Sequence, residues 1–361
     1  MARIEAAVGD AQAAVERGCA FLRGRQLPTG ELPTCASADW VDKGAWQYDG
    51  TVFATAVIGL CLQSVPGPDV AFVMKNAARF LRAQMKPPGV WRFWTPQNPR
   101  YGVIPFDSDD TACAAAVLAR NGGVPREVAG LLLANRDRHG LFYTWFVRHP
   151  GRPPRHPGFW RAAVSGWRRP LGRAVFWHVV PAKPHDVDSA VNANVLMLLG
   201  ETAQTRPVVE HLIQIVRERR EHDCDNYYRR PLAVHHAIAR CFARGVTGLG
   251  AVRELAVARI LARRRDDGSF GDGALETALA ACALGDWGYD GPEISAARAS
   301  LLGSQLPSGG WPAAGYFVGG PKGDMRWGSE EITAGFAVQA LAGVLNGASE
   351  GPSSAASVCS S

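Results

Sequence analysis

The chain has no apolar run of about 18 residues, so its sequence predicts no membrane-spanning helix. Its opening stretch, Met1 to Val15, carries Arg3, Glu5 and Asp10 and lacks the apolar core of a secretory signal. Eight cysteines occur without paired spacing, and Cys19, Cys61, Cys113, Cys241 and Cys282 sit among apolar neighbours. This predicts reduced core thiols in a cytoplasmic protein rather than disulfides or zinc ligands. Strand signals are weak throughout, which leaves helices to build the fold. Acidic residues are missing between Leu141 and His185, where seven arginines and one lysine give +8 in a chain whose net charge is +6. The basicity is therefore local and suits phosphates or lipid headgroups. Nucleic acid is not an expected partner, because no recognisable binding motif accompanies the charge.

What is present is a repeat within 361 residues that are 47% hydrophobic, enough for a substantial core. Similar helical openings recur at Asp49-Gly50-Thr51-Val52-Phe53-Ala54, Asp110-Thr111-Ala112, Asp188-Ser189-Ala190, Leu275-Glu276-Thr277 and Glu331-Ile332-Thr333, with a weaker copy near Arg230. Each starts polar and continues in small and aliphatic residues, as a helix buried on all sides would. Between them lie one-sided segments. Val70, Val73, Ala77, Phe80 and Leu81 form a stripe opposite Lys75, Arg79 and Arg82, and comparable stretches cover 9–25, 125–135, 205–217, 248–265 and 292–305. Six buried helices alternating with six amphipathic ones predict an all-α fold, a closed ring of inner helices inside outer ones. One domain over 1–345 is expected, followed by a disordered Ser-, Gly- and Ala-rich tail at 346–361. The 141–185 segment, with Trp145, Trp160, Trp167 and Trp177 among its arginines, is too long for a helix connection. It reads as a lid, a binding loop or a surface for peripheral membrane contact.

A second repeat joins the end of an outer helix to its following turn. Arg17-Gly18-x-x-Phe21-Leu22-x-x-x-Gln26-x-x-x-Gly30 and Gln305-x-x-x-Gly309-x-Trp311 share it, and Phe80-Leu81-x-x-Gln84 with Gly89-x-Trp91 is a looser copy. The glutamine can bond backbone at the helix end, the glycine supports the turn, and the ring packs back on the helix. Together with Asp107-Ser108-Asp109-Asp110-Thr111-Ala112, these repeats give the chain a resemblance to the class II terpene cyclases, the squalene–hopene cyclase-like family. The resemblance spans nearly the whole chain and implies an (α/α)6 barrel. It also implies a protonation-initiated, carbocationic cyclisation of a polyprenyl chain.

Three carboxyl groups within four residues cannot all ionise cheaply, so at least one should keep a proton at neutral pH. The resemblance places the donated proton on Asp109, with Asp107 and Asp110 tuning it. Helix capping by Asp is the competing reading, although a cap needs only one such residue. The family's acid usually accepts a hydrogen bond from an Asn or His; Asn192 and Asn194 are the candidates, with His235 and His236 behind them. Local bonding of both amides to backbone is the alternative. A carbocation is held by π faces, and Trp46, Phe53, Trp91, Trp94, Trp177, Phe270, Trp311, Phe317, Trp327 and Phe336 are the candidate cavity walls.

No Asp-Asp-x-x-Asp magnesium motif is present, since Asp109-Asp110 and Asp266-Asp267 lack the third carboxylate, and no Asp-Cys-His zinc set accompanies them. No metal or other cofactor is expected; magnesium would enter only with a diphosphate substrate. Length allows one barrel where most of the family pairs two. That points to a farnesyl- or geranylgeranyl-length chain, as a diphosphate or on an aromatic head, with 141–185 as cover and its arginines as head-group ligands. Two other readings compete: a non-catalytic barrel that binds isoprenoids or a partner, and an (α/α)6 enzyme acting on glycans. No feature bears on oligomeric state.

Overall fold

The computed structural model describes residues 2–38, 45–148, 154–164 and 170–349. In chain order its helices are α1 (Ala2–Arg25), α2 (Val52–Leu62), α3 (Pro68–Gln84), α4 (Ser108–Ala119), α5 (Glu127–Ala134), α6 (Pro157–Val164), α7 (Pro170–Val179), α8 (Ser189–Leu199), α9 (Arg206–Glu218), α10 (Pro231–Ala243), α11 (Arg253–Leu261), α12 (Ala274–Asp286), α13 (Pro292–Gly303) and α14 (Glu330–Ser349). Helices α2, α4, α8, α10, α12 and α14 each pack on the next, and α14 returns to α2, closing an inner ring. Outside it lie α1, α3, α5, α9, α11 with the 3-10 turn Thr247–Val252 before it, and α13. This is the (α/α)6 barrel.

Composition sorts the two rings. Every residue of α2 is buried, because Ala, Val, Ile, Leu and Gly offer apolar surface on all sides. Helix α9 instead buries only Val208, Val209, Leu212, Ile215 and Val216, one stripe at three- and four-residue spacing. Burial of each such side chain contributes about 1.5–3 kcal/mol, so the stripe decides which way α9 faces.

The glutamines hold the outer ring together. Gln26, just after α1, donates to the carbonyls of Gly30 and of Val73 on α3, both at 3.0 Å. Gln305, just after α13, donates to Gly309 O and to Ala14 O on α1, both at 2.9 Å, while its own carbonyl accepts from Arg17 at 2.6 Å. Each amide thus satisfies a turn and ties one outer helix to its neighbour. At Gly309 (φ +90°) a Cβ would stand 2.6 Å from Arg17 O, which only glycine avoids. Trp91 and Trp311 pack back on their helices and donate their indole N–H to Leu81 O (2.7 Å) and Leu301 O (2.8 Å).

A four-stranded antiparallel sheet is the departure from the all-helical expectation. Strands β1 (Cys35–Ser37), β2 (Gln47–Tyr48), β3 (Ala314–Gly319) and β4 (Met325–Ser329) lie in the order β2-β1-β4-β3. They are too short to show an alternating pattern, and β3 is buried on both faces, although Tyr316-Phe317-Val318 suits a strand. The sheet joins the segments leading into α2 and α14, so it caps the inner ring at its helix N-terminal end. Helix α14 continues through Asn346 to Ser349, past the start of the expected tail; residues 350–361 lie outside those described. All seven cysteines described are free, and no described helix is long and apolar enough to cross a membrane.

Removing the Gln305 staple with Gln305→Ala should cost about 2 kcal/mol, since it leaves Ala14 and Gly309 carbonyls without their donor. Urea denaturation of the variant against the parent protein measures this directly.

Candidate active site

The acidic cluster opens α4, and its carboxyl groups divide into different tasks. Asp107 is the N-cap: its backbone is extended and its side chain accepts from Asp110 N at 2.7 Å. Asp110 lies buried one turn further on, with Oδ1 lacking a hydrogen-bond partner. The two influence each other strongly. Burial, with the neighbouring Asp109 charge adding to it, lifts Asp107 to about 7, and burial and the Asp107 charge hold Asp110 well above the ordinary carboxyl range. The capping reading is therefore correct for Asp107.

Asp109 does not cap. The residue is part-buried, and it lines a cavity of about 490 Å³. Tyr228 donates its hydroxyl proton to Asp109 Oδ2 at 2.6 Å, and Asn194 Nδ2 donates to Oδ1 at 2.5 Å. Behind Asn194, Arg240 Nη2 donates to its Oδ1 at 2.5 Å. Burial raises the Asp109 pKa above the ordinary value, while the Tyr228 and Asn194 hydrogen bonds and the Arg240 charge pull it down. Burial thus favours the neutral form of the group, while its donors and the Arg240 charge favour the ionised one. Tyr228 stays neutral, its pKa driven up by burial first and then by the Asp109 charge.

The second amide turns elsewhere. Asn192 accepts from Phe142 N (2.8 Å) and donates to Phe142 O and Asp188 O, so it bonds backbone and never reaches the acid. Asp188 accepts from Thr144 Oγ1 (2.6 Å) and from Asn226, and Asp225 accepts from the Tyr227 and Tyr228 amides, which fixes the loop that carries Tyr228. His235 and His236 are also remote from Asp109. The first lies 3.6 Å from Glu221, and the second packs edge-on to Phe336, 3.9 Å from Asp286.

Of the expected aromatic walls, Phe53, Trp94, Phe317 and Trp327 line the cavity. The others do not. Trp91 and Trp311 serve the repeat turns, Phe270 and Phe336 are wholly interior, and Trp46 lies outside the lining near β2. Trp177 packs edge-on to Trp145, and it is Trp145 and Phe176 that face the space. Phe93, Tyr227 and Tyr228 complete the aromatic lining and were not legible as such. Phe93 meets Trp94, Phe317 and Trp327 edge-on at 5.3–5.6 Å, and Phe317 stacks on Trp327, so the rings are rigidly held. Asp49 accepts the indole N–H of both Trp94 (2.9 Å) and Trp327 (2.7 Å).

The 141–185 segment forms one wall. Gly172, Val175, Phe176 and Val179 of α7 and Val180 to Ala182 after it face the cavity. Its described arginines, Arg148, Arg155, Arg161 and Arg173, are not in the lining, which corrects the expectation that they reach a ligand there. Arg152, Arg168, Arg169 and Trp167 lie outside the described residues. The one cationic residue lining the cavity among those described is Arg100, half-exposed, over the Trp94 ring and 3.9 Å from Asp49. No cluster of three or more His, Cys, Asp or Glu suited to a metal ion occurs among the described residues.

No family model matches the chain, and no curated protein is similar to it in sequence. Solved structures show the same fold. The type II terpene cyclase MstE from Scytonema, in complex with the substrate geranylgeranyl dihydroxybenzoate, superposes with a TM-score of 0.68 at 17% identity, over 95% of this chain and 99% of that one. MstE has also been solved with its product merosterolic acid A, with a TM-score of 0.69 at 17% identity, over 94% and 98%. An ent-copalyl diphosphate synthase from Streptomyces platensis matches at 0.51 and 20% identity, over 81% of this chain but 50% of its own. The barrel thus shares its fold with the terpene cyclase MstE over nearly the full length of both chains.

The Asp107–Asp110 pair makes stability depend on pH. Unfolded, both groups ionise near pH 4. The folded protein holds a proton up to about pH 7, so it binds more protons than the unfolded chain across that window and loses stability as pH rises through it. Asp110→Asn removes the like charge and leaves Asp107 an amide donor. It should raise the melting temperature by about 2–4 °C at pH 8 and leave it nearly unchanged at pH 5, as read by scanning fluorimetry.

Proposed function

We propose that the protein is a class II terpene cyclase that protonates the terminal alkene of a polyprenyl chain and cyclises the resulting cation. The observation that carries this is Asp109, a carboxyl group whose pKa burial raises, flanked by two donors and lining a cavity walled by aromatic rings. In the first step the Asp109 proton moves to the terminal alkene carbon and leaves a tertiary cation. Tyr228 and Asn194 then hold the carboxylate that remains. Ring closures follow as the chain's own π bonds attack the cation, and the faces of Phe53, Trp145, Phe317 and Trp327 stabilise it without offering a base. A proton lost at the end balances the one gained, so the reaction is an isomerisation and needs no cofactor. Magnesium would matter only for a diphosphate head.

The fold likeness to MstE supports a geranylgeranyl-length chain on an aromatic acid. Arg100 supports the same reading, as a cation at the cavity wall able to meet an anionic head. Incubating the protein with geranylgeranyl dihydroxybenzoate, and separately with farnesyl and geranylgeranyl diphosphate, should yield cyclic isomers of unchanged mass. Asp109→Asn should lower turnover by at least about a thousandfold and Tyr228→Phe by about tenfold. Binding without turnover would leave the barrel as an isoprenoid carrier, and full activity in Asp109→Asn would remove Asp109 from the role.

We infer further that the mouth beside α7 meets an anionic lipid surface from which a lipophilic substrate enters. Leu171, Val175 and Val179 recur at four-residue spacing and are exposed (82%, 59% and 42%), and the surrounding segment is basic. Co-sedimentation with phosphatidylglycerol vesicles should fall at least about fivefold for Leu171→Glu/Val175→Glu. Equal co-sedimentation of the variant and the parent would count against it.

A further inference from the structure

Arg240 is an anomaly of the inner ring. It sits in the last turn of α10 between Ala239 and Cys241, is only 6% exposed, and does not line the cavity. A guanidinium so buried is costly unless something requires it there. Its Nη2 donates to the Asn194 carbonyl oxygen, and that contact dictates the chemistry of the next one. Guanidinium nitrogens only donate, so Asn194 must turn its oxygen to Arg240, and its NH2 is then committed to Asp109. Without Arg240 the amide is free to rotate and present its oxygen to the acid, which would favour the protonated form and weaken the donor.

Resting on the reading of Asp109 as proton donor, we propose that Arg240 is the positioning residue of that acid: it locks the Asn194 amide in its donating orientation and supplies a fixed positive charge behind the carboxylate. Two effects then act in one direction. The hydrogen bond and the charge both favour ionised Asp109, so the proton leaves more readily, while the charge stays shielded from the cationic substrate by Asn194.

Several groups face this cation. Asp109 and Cys113 come from α4, Tyr316 from β3, Cys61 from α2, Cys241 and His236 from α10 itself, Arg244 from the cap just after it, and Asp286 from α12. Most of them do not ionise near neutrality. Burial lifts Cys61 and Cys241 to about 12, drives Cys113 and Tyr316 well above their ordinary values, and keeps His236 neutral. Asp286, raised to about 7 by burial, does titrate in the working range, as does Asp107.

The test follows Asp109 itself and needs no substrate. Carboxyl-13C aspartate labelling gives a signal that Asp109→Asn removes, and its titration is recorded from pH 4 to 10. Arg240→Gln, which keeps a donor but loses the charge, should move the Asp109 midpoint up by about one pH unit or more, whereas Arg240→Lys should stay within about half a unit. Because Arg240→Gln strips Asp286 of a buried countercharge, the double variant Arg240→Gln/Asp286→Asn compared with Asp286→Asn repeats the measurement in a neutral core. With an active cyclase, kcat should drop about tenfold at a KM within about threefold, and the basic limb of the pH profile should shift upward with the NMR midpoint. An unmoved midpoint in both the single and the double variant overturns the proposal. A moved midpoint in a protein that cyclises nothing supports it and defeats the functional reading instead.

Discussion

The structure depends on one tension, the one acting on the Asp109 carboxyl group. To protonate an alkene, an acid must stay neutral until the substrate arrives and then lose its proton readily. Under the proposed function, burial, the larger effect on Asp109, favours the first, and the hydrogen bonds from Tyr228 and Asn194 with the charge of Arg240 favour the second. Either alone fails. A carboxyl group that is merely buried is a weak acid, and one that is merely surrounded by donors is ionised at neutral pH and has no proton to give. The inner ring resolves this by presenting the group at the start of a wholly interior helix, where water is excluded and donors can arrive from α8, from α10 and from the loop before α10.

Capping and catalysis are usually weighed as alternatives for an acidic motif at a helix start, and under the proposed function they are divided between residues two apart. Asp107 closes the backbone of α4 through Asp110 N. That bond fixes the first turn and so directs Asp109 to the cavity. Asp110 shares the buried space behind the cap, and the strong mutual influence of Asp107 and Asp110 leaves a proton in that pair at neutral pH. Asp109 therefore faces less negative charge than its neighbours' formal charges suggest. The motif needs its outer carboxyls so that the middle one can be both fixed in place and freed from capping.

How much could be read from the sequence followed from the range of the interaction involved. The twelve-helix barrel was legible because burial on all sides and burial on one side leave different short-range patterns, as in α2 and α9. Asp109 was legible because the acidic motif that contains it, Asp107-Ser108-Asp109-Asp110, is contiguous in sequence. The sheet was hidden because strands of two to six residues carry no period. The cavity walls were misjudged for a specific reason: the tryptophans most visible in the repeats, Trp91 and Trp311, owe their positions to turns and spend their N–H groups on backbone. Tyr228 lies 119 residues from Asp109, beyond any local pattern. Arg240 did leave a signal, a lone arginine inside Ala237-Ile238-Ala239-Arg240-Cys241-Phe242, where an exposed face is hard to find.

Charge placement explains why the basic insertion does not contradict a carbocation site. In the proposed reaction, a cation in the wall would raise the energy of the very intermediate that aromatic rings lower. Helix α7 accordingly turns Val175, Phe176 and Val179 to the cavity, and no described arginine of the insertion lines it. Arg100 lines the cavity only where it is half-exposed and near Asp49, and there its field is screened by solvent and by that carboxylate. Arg240, the other strong cation near the acid, is set behind Asn194, so the charge bears on Asp109 first and on the substrate last. A single barrel can thus carry both an arginine-rich cover and a positive charge in its core, provided each is separated from the cavity by a neutral group.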